Sequence, residues 1–125
     1  MPSPFKISKE DLLRSKLIPP GWYPSTIRAV TQKAAKTDGS TNTEIDLVVS
    51  GGPFDGVPVI RVFSEKAPGF AKNFAAAVLG RPVRDDGEEF DFERAVGKKI
   101  KVYYTNEKYL GRLVNRAEDF APLTT

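Results

Sequence analysis

The sequence predicts a mostly β protein with five strands and one substantial α-helix. Three observations predict this class: stretches that alternate apolar and polar residues, turns rich in Gly and Pro between them, and one stretch with helical spacing. The length of 125 residues is typical of one domain. A content of 40% hydrophobic and 28% charged residues is that of an ordinary folded protein, so we expect a single hydrophobic core.

A short helical arm is predicted before the β domain. Ser8 and Asp11 have the spacing of a helix-capping pair, and tolerable helix formers follow from Lys9 to Ser15. The helix should end before the Pro-Pro-Gly sequence at 19–21, because a proline disfavours helical geometry in the residue before it. The predicted organisation is an N-terminal arm at 1–21, a β domain at 22–122 and a short tail at 123–125.

Three strands precede the main helix. They are predicted at 22–32, 43–50 and 57–64. The first has a mixed pattern that predicts a bulge or twist. The second alternates well, and its odd-numbered residues from Ile45 to Val49 should face the core. In the third, Ile60 and Val62 are expected to face the core, because the opposite set of side chains would bury Arg61.

The main α-helix is predicted at 68–80, between the third and fourth strands. Phe70, Phe74 and Val78 recur at the spacing of one helical face, which predicts that they anchor the helix to the core. Gly80 is a suitable last residue, since glycine readily adopts the left-handed conformation that ends many helices.

The fourth and fifth strands are predicted at 98–106 and 109–122. A turn at 107–108 should join them, and Gly111 should bend the fifth. The even-numbered residues from Ile100 to Tyr104 are expected to face the core. Five strands with one helix between the third and fourth is the element order of an OB-fold, a five-stranded Greek-key barrel, and this is the predicted architecture.

The net charge of +3 conceals an uneven distribution. Residues 85–97 contain six carboxylates and only one basic residue, whereas the rest of the chain has 18 basic and 10 acidic side chains, a net charge of +8. Such a body can attract a polyanion. Within the acidic linker at 85–93, Phe90 and Phe92 are expected to hold the segment against the core, with one helical turn at 92–96.

Composition excludes several chemistries. The chain has no Cys and no His, so it has no disulfide, no thiolate nucleophile, no zinc ribbon and no Ser-His-Asp triad. No stretch has the roughly 20 apolar residues of a membrane helix, and the first residues lack the apolar run of a signal peptide. We therefore predict a cytoplasmic protein without a cofactor or a membrane partner.

Three segments resemble a family of bacteriophage proteins, long catalogued as uncharacterised, whose better understood members are OB-fold single-stranded DNA-binding proteins. The segments are PPGWYPSTI at 19–27, SGGPFDGVPV at 50–59 and VGKKIKVYYTNEKYLGRLVNRAEDFAP at 96–122. The resemblance implies non-enzymatic binding of single-stranded DNA in phage replication or recombination. It would place the protein in the host bacterial cytoplasm, with phage replication or recombination proteins as further partners and a homodimer left open.

Binding a single strand without sequence preference needs cations for the phosphates and flat rings for the bases. The candidate phosphate-binding residues are Arg28, Lys33, Lys36, Arg61, Lys99, Lys101, Arg112 and Arg116. The candidate stacking residues are Trp22, Phe63, Tyr103 and Tyr109. Trp22 could instead pack at the barrel end, and Phe63 could fill the core if the faces of the third strand are inverted.

Two other functions stay open at this point. A metal-dependent nuclease could use the carboxylates of the acidic linker, or Glu44 and Asp46 on the second strand. A protein-interaction module is the other candidate, because small barrels host many functions. The acidic linker itself could cover the basic surface in the absence of DNA, dock a partner protein, or serve only as a solvated loop.

Overall fold

A computed structural model describes residues 6–34, 39–65 and 68–123. In these ranges, five strands form one open antiparallel sheet. They are β1 (Gly21–Ala34), β2 (Thr41–Val49), β3 (Pro58–Ser64), β4 (Lys99–Tyr109) and β5 (Arg112–Pro122). The helices are α1 (Lys9–Arg14), α2 (Lys72–Leu79) and three 3₁₀ turns at Gly52–Phe54, Pro68–Ala71 and Phe92–Ala95. The prediction of a mostly β protein with five strands is confirmed. No helix of the described ranges is long and apolar enough to cross a membrane.

The order of strands across the sheet is β3-β2-β1-β4-β5. The long connection from β3 to β4 contains α2 and the acidic linker at 85–93, which we call the acidic segment. This connection returns the chain to lie beside β1. The two edge strands, β3 and β5, approach each other, and the Arg61 guanidinium donates a hydrogen bond of 3.3 Å to the Ala117 carbonyl. The sheet therefore curls around the core. The bulge predicted in β1 is present between Ile27 and Ala29.

The core lies inside the curled sheet. The odd-numbered side chains from Ile45 to Val49 and the even-numbered ones from Ile100 to Tyr104 are all buried, so both predicted core faces are confirmed. The Tyr104 hydroxyl shares a 2.7 Å hydrogen bond with the buried Ser25 hydroxyl. Burial raises the pKa of Tyr104 to about 12, because the ionised phenolate would lose its hydration.

An aromatic cluster joins α2 and the acidic segment to the sheet. The Phe74 ring is fully buried and lies with its centroid 5.2 Å from that of Phe120 on β5. Phe90 and Phe92 pack edge to face at 5.2 Å and also contact Phe74. These contacts confirm that the two phenylalanines hold the acidic segment against the core. Gly80 ends α2 with a φ of +73°, as predicted.

The predicted core face of β3 is wrong. Phe63 is only 4% exposed and Val59 is buried, whereas Ile60 and Val62 lie outside with exposures of 51% and 47%. Arg61 shares the inner side with Phe63, but its long side chain reaches the seam between β3 and β5. The rule against burying an arginine therefore fails: the Nε atom of Arg61 is buried without a hydrogen-bond partner, and one terminal nitrogen reaches the Ala117 carbonyl at the seam.

Two further predictions on local structure are wrong. Phe70 is 71% exposed, because it lies in the 3₁₀ turn at Pro68–Ala71 rather than in the α-helix whose spacing would turn it inward. The turn between β4 and β5 is at Leu110 and Gly111, not at 107–108. Both residues have positive φ, +50° and +79°, which suits a two-residue hairpin turn.

The N-terminal arm closes one end of the core. The predicted capping pair is present: the Ser8 hydroxyl accepts a hydrogen bond from the Asp11 amide, and the Asp11 carboxylate accepts one from the Ser8 amide. Beyond α1, the buried Ile18 is held by two asparagines. Its amide donates to the Asn115 side chain at 2.8 Å, and its carbonyl accepts from Asn106 at 3.0 Å.

Candidate nucleic-acid interface

Trp22 and Tyr103 form an aromatic pair on the outer side of the sheet. They are direct partners in the register between β1 and β4, and their ring centroids are 5.4 Å apart with a tilt of 55°. Trp22 is 47% exposed and Tyr103 is half-buried. A tilted pair leaves part of each ring face open, which is the feature that a nucleobase needs for stacking.

Two lysines lie on the same side of β4 as this aromatic pair, two and four residues from Tyr103. Lys101 and Lys99 alternate with Tyr103 along β4, so their side chains leave the same side of the sheet. Within the ranges that the structure describes, neither ammonium group has a carboxylate within 4 Å. We call Trp22, Lys99, Lys101 and Tyr103 the aromatic face. Its positive charge is available to an incoming anion.

A second outer surface lies on β2, β3 and the neighbouring part of β1. We call it the paired face, and it consists of Lys33, Glu44, Asp46, Ile60, Val62 and the neighbouring Arg28. Arg28 contacts Asp46 at 2.8 Å and Glu10 of the arm at 3.3 Å. Its hydrogen bond to Asp46 raises the pKa of the Arg28 guanidinium. Lys33 lies 3.4 Å from Glu44. Both predicted phosphate ligands of this surface are therefore already neutralised.

Two candidate residues on β3 do not lie on an open surface. Phe63, a predicted stacking residue, belongs to the buried aromatic cluster and presents no ring to a ligand. Arg61 is half-buried, and its guanidinium lies 5.1 Å from the centre of the Phe63 ring. Burial, and then the nearby charge of Arg116, lower the pKa of the Arg61 guanidinium. Arg61 joins the two edge strands instead of facing water.

The remaining candidates lie near the β4–β5 hairpin. Tyr109 is exposed at the hairpin end, where its register partner is Arg112. At roughly 3.3 Å per residue, Tyr109 is about 20 Å along β4 from Tyr103. Arg116 contacts Glu107 at 3.0 Å and Glu118 at 2.9 Å, and the hydrogen bond to Glu107 raises the pKa of the Arg116 guanidinium. Lys36 lies outside the described residues.

An open cleft of about 460 Å³ adjoins Trp22 on the side of α2 and β5. Its lining includes two cations that the sequence reasoning missed, Lys72 and Arg81. A lysine on the polar side of a helix and an arginine just after its end are both too common to predict a ligand, so no sequence signal would have found them. Arg81 contacts Glu88 of the acidic segment at 2.7 Å, and this hydrogen bond lowers the pKa of Glu88.

The carboxylates proposed for a nuclease are dispersed or already engaged. In the described part of the chain, no group of three or more acidic side chains is placed to hold a metal ion. Asp46 and Glu44 form the ion pairs of the paired face. In the acidic segment, Glu88 contacts Arg81, and the Asp91 carboxylate accepts a hydrogen bond from the Glu93 amide.

Comparison with protein-family models and with curated proteins gives no match for this chain. The function of this chain is therefore inferred from the geometry and charge of the surfaces described above.

Proposed function

We propose that this protein is an OB-type barrel that binds single-stranded DNA without enzymatic activity, in replication or recombination. The observation that carries the proposal is the aromatic face, where an exposed tryptophan and a tyrosine lie beside two lysines that have no carboxylate partner among the described residues. Stacked bases and neutralised phosphates are the two interactions that bind a single strand.

The topology supports the OB-type assignment. Strands β1, β2 and β3 follow one another in the sheet, and a long connection with α2 returns the chain to place β4 beside β1. That strand order is the Greek-key arrangement. The approach of β3 to β5 brings the sheet close to closure, as in a small partly open barrel.

The chemistry favours a single strand over a duplex. In a duplex, the flat faces of the bases are covered by their neighbours, so Trp22 and Tyr103 would find no ring to stack on. The lysines would attract phosphates of either form. Preference for the single strand should therefore come from the rings, and dependence on salt should come from the lysines.

Fluorescence anisotropy with labelled oligo-dT and a matching duplex tests the proposal. An oligonucleotide of about 20 nucleotides exceeds the largest site of a single OB-fold, about 16 nucleotides. We expect tighter binding of the single strand. With Lys72, Lys99 and Lys101 engaged, the logarithm of the affinity should fall with the logarithm of the salt concentration with a slope of about 2, at ~0.7 for each phosphate. No binding, or equal affinity for the duplex, would reject the function.

The same samples distinguish the nuclease. Incubation of the oligonucleotide with the protein and Mg²⁺, followed by denaturing electrophoresis, should leave its length unchanged. Shortening that requires Mg²⁺ and is lost in a Glu44→Gln/Asp46→Asn variant would replace DNA binding with cleavage as the main activity.

Self-association through the paired face is a second candidate function. Ile60 and Val62 are neighbours on the outside of β3, and the ion-paired Asp46 and Glu44 lie beside them on β2. An apolar centre with a polar rim is typical of protein interfaces. Sedimentation velocity over a range of concentrations should then detect a dimer that Ile60→Asp abolishes. A monomer at every concentration would reject this candidate.

A further inference from the structure

The cleft beside Trp22 contains an acidic and an amide side chain that the DNA-binding function has not yet used. Asp119 of β5 and Asn73 of α2 both line it, together with the cations Lys72 and Arg81. At about 460 Å³, the cleft falls in the roughly 300–1,000 Å³ range of small-molecule sites. Small residues such as Ala76 and Ala121 are also part of its lining, which leaves room for a flat ligand.

Besides the two cations, the cleft contains two side chains, Asp119 and Asn73, that offer hydrogen-bond acceptors. One oxygen of Asp119, Oδ1, accepts hydrogen bonds from the Asn73 amide nitrogen and the Phe120 backbone amide, both at 2.8 Å. No described residue donates to the other oxygen, Oδ2. Asn73 donates through its nitrogen, and no described residue donates to its carbonyl oxygen, which is the second acceptor. The cleft therefore presents two neighbouring acceptors to a ligand.

Two neighbouring acceptors select among the four DNA bases. The Watson–Crick edge of guanine has two adjacent donors, the ring N1–H and the exocyclic amino group. Adenine and cytosine each place one amino group beside a ring nitrogen that accepts, and thymine places its single N–H between two carbonyl oxygens. Only guanine satisfies both acceptors without placing one of its own acceptors against the carboxylate.

We propose that the cleft binds one unpaired guanine of the single strand, with its edge on Asp119 and Asn73 and its ring against Trp22. This inference rests on the proposed function, because Trp22 belongs both to the aromatic face and to the wall of the cleft. The strand would pass from the aromatic face into the cleft, where Lys72 has no carboxylate partner among the described residues and can hold a phosphate. Binding elsewhere on the strand stays independent of sequence.

The test compares oligonucleotides that differ at one position. A labelled oligo-dT carries at its centre thymine, guanine or hypoxanthine, which is guanine without the exocyclic amino group. We expect the guanine oligonucleotide to bind about fivefold or more tighter than oligo-dT, the lower range of discrimination by a two-point base contact. The hypoxanthine oligonucleotide should fall between the two, because it retains one donor of guanine and, unlike thymine, places no carbonyl oxygen where guanine has its amino group.

Asp119→Asn removes the free acceptor with little change in shape. The new side chain keeps one oxygen to accept from Asn73 and Phe120, and it replaces Oδ2 with a donor. The guanine preference should be lost, whereas affinity for plain oligo-dT should not fall. Asp86→Asn is the matched control, since it makes the same change of charge at an exposed carboxylate that does not line the cleft.

The possible outcomes distinguish the guanine site from single-strand binding. A guanine preference that Asp119→Asn removes and Asp86→Asn retains supports the base site. Equal affinity of the wild-type protein for all three oligonucleotides overturns the base site and leaves single-strand binding intact. A preference that survives Asp119→Asn overturns the assignment to Asp119. Absence of binding to every oligonucleotide overturns the proposed function and the base site with it.

Discussion

The aromatic face and the paired face have similar inventories but different electrostatics. Each has two large apolar or aromatic side chains and two basic residues near them. On the paired face, Arg28 and Lys33 contact carboxylates within 3.4 Å, whereas Lys99 and Lys101 on the aromatic face have no such contact in the described ranges. A count of basic residues therefore does not reveal which surface attracts DNA.

An ion pair weakens the attraction between its cation and an incoming phosphate. A phosphate that approaches Arg28 must compete with Asp46 and Glu10, and it meets their negative charges. Among the described residues, Lys101 has no carboxylate within 4 Å to give up, so a phosphate that approaches it displaces mainly counterions, and release of counterions is a large source of affinity for a nucleic acid. The two faces thus differ in what a phosphate must displace: carboxylates on the paired face and counterions on the aromatic face.

The largest expected effect is that of Trp22→Ala. Loss of one stacked base is worth roughly 1–3 kcal/mol, so affinity for oligo-dT should fall by about five- to 150-fold in the anisotropy assay. Ile60→Ala is the matched control, because it removes a similarly exposed apolar side chain from the paired face. Equal losses in the two variants would show that both faces bind DNA. Thermal unfolding of both variants checks that the fold is retained.

The next effect concerns salt. The double variant Lys99→Gln/Lys101→Gln should lower the slope of log affinity against log salt by about 1.4, at ~0.7 for each phosphate contact. Lys33→Gln, which removes a cation already paired with Glu44, should leave the slope unchanged. If Lys33→Gln lowers the slope by about 0.7, as expected for the loss of one lysine of β4, paired and unpaired cations do not differ in DNA binding.

A smaller effect is expected from the acidic segment. Glu88 holds Arg81 at the edge of the cleft, and their hydrogen bond lowers the pKa of the Glu88 carboxyl. Glu88→Gln should release Arg81 to a phosphate, tighten binding at low salt and raise the salt slope by about 0.7.

Asp86→Asn is the control for Glu88→Gln. It removes the same charge from the acidic segment, but the Asp86 carboxylate contacts Arg84 and not Arg81. Equal tightening by both variants would indicate repulsion by the whole acidic segment. No change in either variant would mean that the segment does not regulate the cleft.

The smallest effect is expected for Arg28→Gln. Exposed ion pairs typically contribute less than about 1 kcal/mol, so the free energy of unfolding in urea should fall only slightly. Affinity for oligo-dT should not change. A clear loss of affinity would show that Arg28 binds a phosphate and that the DNA also contacts the paired face.

Local patterns predicted the parts of the fold that depend on near neighbours. The capping of α1 by Ser8, the end of α2 at Gly80 and the inner sides of β2 and β4 all follow from residues a few positions apart. The same reasoning failed on β3, because the position of Arg61 depends on β5. Its guanidinium finds an acceptor on Ala117, 56 residues away in the chain.

The candidate site shows the same division. Trp22, Lys99, Lys101 and Tyr103 were all predicted from the sequence, because exposed aromatic and basic side chains on strands are a local signal. Phe63 was misplaced with the rest of β3. Lys72 and Arg81 could not be predicted, since only the packing of α2 against β5 brings them to the edge of a cleft beside Trp22.

The sequence by itself determined the secondary structure class, the absence of Cys and His chemistry, and the presence of a basic body with one acidic segment. The tertiary structure alone decided which cations are available to a phosphate: Arg28 contacts Asp46 and Glu10, each 18 residues away. It also decided which polar groups line the cleft, where Asn73 donates to Asp119, 46 residues away. Coulomb energies and hydrogen bonds depend on distance in space, and a linear sequence does not contain those distances.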